Sequence, residues 1–468
     1  MFVKTSGKNI CYQVCYLLIE EKINMLDQSF SVKNFREIYD IENRKGIYLE
    51  NIFDELVEVR KITEAIKQAR LSIKNAKTKA GKKAVYDVIK EYKNNKNLKL
   101  NECFLEVEKQ IQSGSFRAIL EKGPIVHEKQ TYVFKKSLVS FCASKQTQIN
   151  LSKIFKVNPA SRNNILAQLR AILEDRLPKI IIRTDVSSFY EDIPHSDLLD
   201  IICSNKLLSV SSKKYIRQVI KNYSTLCGGV NKGVPRGIGV SAYLSEIYMS
   251  KLDELVKNTP NLGYYARYVD DIVLVFYPDK NMQEADCLSK IQDVFGRMNL
   301  KMNMDKTKGI FLQKDTGDKL FEFLGYKITV SISNRVPKFE LSDKKTKKLK
   351  ERIRKAFDMY RRTKNKRVAR HCLYHRIRFL TSNTRLLNNK NNIVVGIYYS
   401  NRFITKGECL RGLDAYLNYC ILKVNDVVLA KHLSIFSFEK GWTERVYHKY
   451  SANKLKQITK IWRYDENC

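Results

Sequence analysis

The chain has 468 residues, 44% of them hydrophobic. That is enough to bury a sizeable core and too long for one compact domain, and it excludes a globally disordered chain. Lysine and arginine outnumber aspartate and glutamate by 85 to 49, a formal net charge of +36; an excess of this size repels itself unless a polyanion is near, and nucleic acid is the usual one.

In chain order, Met1 to Glu20 carries an apolar patch at Val14–Ile19 that is too short to span a bilayer and has no cleavage site. No run reaches the roughly 18 apolar residues of a membrane-crossing helix, so no membrane partner is expected. Residues 1–120 read as a helical N-terminal extension. Within it, lysine-rich Ile62–Leu100 spaces Ile66, Ala69, Ile73 and Ala76 at helical intervals. It is either an exposed helical hairpin or an RNA-gripping surface, and the sequence does not choose. From 121, Tyr132–Phe134 suits a strand and Asn164–Asp175 a helix. Lys179–Thr184 is an apolar run entering Asp185, the pattern of a buried strand. Ser241–Leu255 suits a helix. Tyr264–Phe276 is a second strand region, interrupted by Asp270 and Asp271. Ser289–Met298 suits another helix, and Phe321–Ile328 a third strand region. Strands interleaved with helices make residues 121–335 an α+β unit.

From 336 to 468 the chain reads as basic helices. Residues 341–370 hold 14 Lys and Arg against 3 Asp and Glu, a local +11. The eleven cysteines are scattered with no C-x-x-C pair, so neither a zinc module nor a disulfide framework is expected, and reduced thiols fit a cytoplasmic protein. His371 and His375 stand at i, i+4, a spacing that can bind metal. With no acid between them and basic surroundings, packing or a nucleic-acid-facing role is the expectation.

The chemistry is carried by carboxylates. Asp270 and Asp271 interrupt apolar sequence on both sides, and two ionised carboxylates at a core edge are costly without a counter-charge. A tight hairpin beside a divalent ion resolves that cost. Asp185 ends another apolar strand, with Val186 and Ser187 opening a turn. Three carboxylates on adjacent strands can hold two Mg²⁺ roughly 3.5–4 Å apart, activating a 3′-hydroxyl and stabilising a leaving pyrophosphate. Hard oxygen donors without histidine suit Mg²⁺.

Tyr268-Val269-Asp270-Asp271 resembles the Y-x-D-D box of reverse transcriptases. Four further boxes follow that family's order. Asp185 to Pro194 resembles the first palm box, and Gly233 to Ser241 the P-x-G box. Leu300 to Thr307 resembles L-x-L-N-x-x-K-T, and Phe323-Leu324-Gly325 the primer-grip turn. The resemblance implies a right-hand polymerase with fingers and palm at 121–335, a helical thumb at 336–468 and the helical extension ahead of them. It implies catalysis by Asp185, Asp270 and Asp271, with Val186 beside them at the metal site; the cofactor is two Mg²⁺, with Mn²⁺ as the alternative. Tyr190 falls where the family places an aromatic gate against a 2′-hydroxyl, which favours a DNA product. Gly237 and Gly239 allow close backbone approach to template or nucleotide. Lys306 matches the lysine that meets the departing pyrophosphate, and Leu324 and Gly325 match the primer grip. One departure stands out: the family's usual glutamine is Arg236, which can fork onto a phosphate but cannot make an amide's paired contacts with a base. Arg162 and Lys135-Lys136 are candidates for gripping the triphosphate.

Below the superfamily, Gly233 to Glu246, Arg378 to Asn383 and Gly396 to Asn401 are similar to bacterial defence-associated reverse transcriptases of the unknown group, related to retron and group II intron enzymes. No RNase H segment, zinc-bearing endonuclease or V-T-G thumb element is legible. The resemblance implies bacterial anti-phage defence in the cytoplasm, with DNA made from dNTPs on an associated non-coding RNA. It also implies a second reverse transcriptase or a homo-oligomer as partner. The basic helices after 340, with Tyr360, Tyr374 and Phe379 interleaved, fit duplex-backbone contact. Three alternatives remain open: template-independent or protein-primed synthesis on the same palm, a non-catalytic RNA-binding scaffold, and an RNA-directed RNA polymerase, against which Tyr190 argues.

Overall fold

The computed structural model describes residues 26–73, 78–126, 128–157, 160–313, 317–331, 336–386 and 393–462. The Val14–Ile19 patch, Ala76 and Cys468 lie outside them. Helices and antiparallel sheets are mixed throughout, the α+β class expected. The described chain forms two compact units, each assembled from separated segments. One takes residues up to 159 with 187–256 and 294–301; the other takes 160–186, 257–293 and 302 onward.

In the first unit the lysine-rich stretch folds as two helices, Val57–Ser72 and Lys79–Gln112, which pack against each other. Only the buried stripe, with Ile66, Ile89, Leu100, Phe104 and Val107, enters the core, so most lysines face solvent. The hairpin β1 (Leu120–Val126) and β2 (Lys129–Phe134) follows. Helices Val32–Arg44, Leu138–Ile154, His195–Ser204, Val210–Leu226 and Gly239–Lys257 pack in the same unit.

The second unit holds a four-stranded antiparallel sheet, ordered β4 (Leu262–Tyr268), β5 (Asp271–Phe276), β3 (Lys179–Asp185), β6 (Lys308–Leu312). Ile180, Ile181 and Ile182, and all of Ile272–Phe276, are wholly buried. β-Branched residues dominate both runs because a central strand buried on both faces rewards them. One face packs on Ile165, Leu166, Leu169 and Leu173 of the helix Arg162–Glu174. Phe321–Ile328 is not a strand of this sheet. It is the turn of a separate three-stranded sheet, β7 (Lys319–Phe323), β8 (Tyr326–Val330) and β9 (Lys338–Leu341). The buried alternation of Phe321, Phe323, Tyr326, Ile328 and Val330 gives that hairpin its own core face. The helix expected at Ser289–Met298 starts earlier, spanning Glu284–Arg297 with Glu284 and Asp286 in its first turn. Basic helices Asp343–Arg362 and Lys366–Leu380 follow as expected. Among the described residues no helix is long and apolar enough to cross a membrane.

Candidate active site

The carboxylates meet at one end of the four-stranded sheet. β3 and β5 pair antiparallel from Ile180 opposite Phe276 to Asp185 opposite Asp271. Like charges directly opposite destabilise a sheet, so this register needs compensation. β4 and β5 pair up to Tyr268 opposite Asp271, leaving Val269 and Asp270 as a two-residue turn. Val269 has φ +60°, a left-handed conformation that costs a β-branched residue about 1–2 kcal/mol. The Val186 amide donates to the Asp270 carbonyl at 3.1 Å, tying the end of β3 to that turn. Asp185, Val186, Asp270 and Asp271 are therefore brought together; Asp185 is 4% exposed, and Asp270 and Asp271 are half-buried.

Compensation comes from two cations. Lys306 Nζ lies 2.6 Å from Asp185 Oδ2, and Arg183 Nη2 lies 2.6 Å from Asp271 Oδ1. Arg183 Nη1 also donates to the Lys306 carbonyl at 2.8 Å. The Asn303 amide donates to the Asp185 carbonyl at 2.8 Å, fixing the strand end. Asp271 still holds its proton more tightly than an ordinary aspartate. Burial is the main cause; Arg183 opposes it, and the charges of Asp270 and Asp185 reinforce it. Among the described residues no group of three or more His, Cys, Asp or Glu side chains forms a ready-made metal cage. The carboxylate donors are hard oxygens crowded enough to repel one another, a set that a divalent cation fits.

Leu324 and Gly325 occupy the two-residue turn joining β7 to β8, with φ +46° and +76°. This is the left-handed pair that the twist of a tight hairpin requires. Arg162 does not point to solvent: Nε and Nη2 both donate to the Leu324 carbonyl, at 3.1 and 2.6 Å. Its guanidinium lies 5.0 Å over the Tyr326 ring, and Lys345 Nζ lies 5.0 Å over the same ring. Burial and the neighbouring Arg162 pull the Lys345 ammonium down to about 8.

Tyr190, Arg236 and Gly237 lie in the first unit. Arg236 forks onto Glu191, with Nη2 3.0 Å from Oε1 and 3.4 Å from Oε2, and covers the Tyr190 ring at 4.8 Å. Gly237 has φ +103°, and a Cβ there would sit 3.0 Å from the Tyr132 carbonyl; close backbone approach is thus toward β2. At Gly239 a Cβ would meet the Gln148 amide. Lys135 and Lys136 are exposed. In the second unit His371 and His375 face each other, Nε2 to Nε2, at 3.1 Å. Lys454 Nζ sits within 3.1 Å of His371.

Sequence reasoning missed Arg183, Glu191 and Lys345. Arg183 had a signal, because the two-residue period of β3 puts it on the same face as Asp185. Glu191 and Lys345 had none, since both act through residues distant in sequence.

Residues 126–328 match the family model described as reverse transcriptase (RNA-dependent DNA polymerase). That stretch is similar to reverse transcriptase domains. No curated protein matches the chain. Two solved structures that align with it are telomerases. One, from Candida albicans in complex with a TWJ fragment of telomeric RNA, is 13% identical with TM-score 0.31, over 68% of this chain and 54% of that one. The other, apo telomerase from Candida tropicalis truncated from the C-terminal domain, is 14% identical with TM-score 0.34, over 48% and 55%. The chain thus spans about half the length of each.

Proposed function

We propose that the chain copies an RNA template into DNA from dNTPs, with Asp185, Asp270 and Asp271 as the catalytic carboxylates. The observation that carries this reading is the pairing of Asp185 with Asp271 at the sheet end, beside Asp270. The three carboxylates and the backbone at Val186 would hold divalent cations, Mg²⁺ by donor hardness. Bound there, the ions supply the charge that activates a primer 3′-hydroxyl and stabilises departing pyrophosphate. Lys306, with Nζ 2.6 Å from Asp185 Oδ2, is placed to meet the leaving group. Arg183 orients Asp271 for its ligand role. Tyr190 excludes a 2′-hydroxyl, and the Leu324–Gly325 turn, braced by Arg162, holds the primer end. Arg162, bonded to the Leu324 carbonyl, is read here as a brace for that turn.

In this reading residues 1–120 form an extension, 121–335 the fingers and palm, and 336–468 a thumb whose basic helices follow the duplex backbone. The similarity of Gly233–Glu246, Arg378–Asn383 and Gly396–Asn401 to bacterial defence-associated enzymes supports a role in anti-phage defence in the bacterial cytoplasm. The template would be an associated non-coding RNA, and a second reverse transcriptase or another copy of the chain would be the protein partner. The test is DNA synthesis by purified protein with its co-purifying RNA, labelled dNTPs and Mg²⁺, beside the Asp270→Ala, Asp271→Ala double variant. DNA complementary to that RNA, and lost in the variant, is the expected result. DNA unrelated to the RNA would assign untemplated synthesis instead, and activity retained in the variant would remove the carboxylates from catalysis.

A further inference from the structure

From the contacts around Tyr190, we infer that Arg236 is a positioning residue that fixes the Tyr190 ring, and that the sugar selectivity of the enzyme depends on the Arg236–Glu191 ion pair. The inference rests on the reading of Tyr190 as the gate and goes beyond it.

The argument starts from the backbone. The Val234 amide donates to the Tyr190 carbonyl at 2.7 Å, and the Gly233 amide to the Ile193 carbonyl at 2.7 Å. His195 Nε2 bonds the Gly233 carbonyl at 2.6 Å. The Tyr132 amide donates to the Arg236 carbonyl at 2.7 Å. The loop carrying Arg236 is therefore stitched both to the segment carrying Tyr190 and to β2. With its main chain pinned, the Arg236 side chain is aimed. Its guanidinium covers one face of the Tyr190 ring at 4.8 Å. Phe189, 5% exposed, meets the ring edge-on at 5.0 Å. Glu191 holds the guanidinium by its fork, and Lys129 Nζ approaches the same carboxylate at 3.9 Å.

A ring selects against one extra hydroxyl only if it cannot tilt away. Phe189 restrains it by its edge-on contact and Arg236 by covering a face. Arginine, unlike glutamine, offers a flat charged surface that stacks on an aromatic while forking onto a carboxylate. The departure at this position thus couples the P-x-G loop to the gate through Glu191. A guanidinium committed to Glu191 and Tyr190 is not extended toward a triphosphate.

The test compares kcat/KM for a deoxynucleotide and the matching ribonucleotide in Arg236→Gln, Arg236→Lys, Glu191→Gln and Tyr190→Ala variants of the full chain. Arg236→Gln and Glu191→Gln are expected to raise relative ribonucleotide use about three- to tenfold, the range of a part-exposed cation–π contact with its ion pair. Arg236→Lys, which keeps charge without the planar fork, is expected to fall between wild type and Arg236→Gln. An equal rise in KM for both nucleotides in Arg236→Gln would overturn the inference by making Arg236 a direct nucleotide contact. An improved deoxynucleotide KM in Glu191→Gln would overturn it in the same way, by a freed arginine. An unchanged ratio in both variants, with Tyr190→Ala relaxed, would overturn the positioning role alone. An unchanged ratio in Tyr190→Ala would remove the gate itself.

Discussion

Replacing Arg183 by methionine isolates the electrostatics of the carboxylate site. The Arg183–Asp271 pair is part-buried, with side chains 19% and 29% exposed. Exposed pairs contribute about 0.2–1 kcal/mol, and breaking a fully buried one costs about 3–5 kcal/mol. Arg183 also bonds the Lys306 carbonyl, but its buried Nε has no hydrogen-bond partner among the described residues, which offsets part of the gain. A net loss of about 2 kcal/mol follows, a fall in Tm of about 4–8 °C at the scale of a unit this size. The sign with pH is fixed by Asp271. Its folded carboxyl binds protons more tightly than the unfolded one, so ionised Asp271 costs stability as pH rises through its folded pKa. Arg183 reduces that cost, and the loss from Arg183→Met should be full at neutral pH. It should shrink as pH falls toward the ordinary aspartate value of 3.8. Thermal unfolding in EDTA, in the wild-type and Asp271→Asn backgrounds, measures both effects. The double-mutant cycle should show coupling of at least about 1 kcal/mol. Additive losses, or a loss independent of pH, would refute the account.

Three further outcomes follow from the same geometry. Mg²⁺ should raise the Tm of the wild-type chain and raise it less in Asp185→Asn, Asp271→Asn, since ligands that bind only the folded state stabilise it by mass action; an equal rise in both would place the cation elsewhere. Val269→Gly should stabilise by about 0.5–1 kcal/mol, as the relief of left-handed strain exceeds the added chain entropy, and should lower polymerase activity by loosening the Asp270 turn; a less stable Val269→Gly protein with unimpaired synthesis would show that the turn stores no useful strain. His375 is held neutral to about pH 4, against an ordinary 6.5, by burial and by Lys454, His371 and Arg378. Its folded pKa is depressed, so stability is lost as pH falls from 6.5 toward 4; a curve of Tm against pH that is no flatter in His375→Gln would contradict this.

How far the sequence could be read depended on the distance over which each feature is specified. The β-branched runs around Ile181 and Val273 announce buried central strands, because burial on both faces leaves no room for alternation. The break in the second run at Asp270-Asp271 marks the turn for the same reason. Phe321–Ile328 reads as a strand region, but a strand pattern carries no address; only pairing with β9 shows which sheet it joins. Arg162 shows the limit most clearly. In sequence it is one of many basic residues and reads as a phosphate ligand. In the fold its guanidinium donates twice to the Leu324 carbonyl, 162 residues away. Arg236 behaves likewise toward Glu191, and Arg183 toward Asp271. In a chain of +36, the cations that brace a site are recognised by their carboxylate, carbonyl or ring partner. Those partners are tertiary neighbours, so the cluster of Asp185, Asp270 and Asp271 was legible from local pattern while the cations beside it were not.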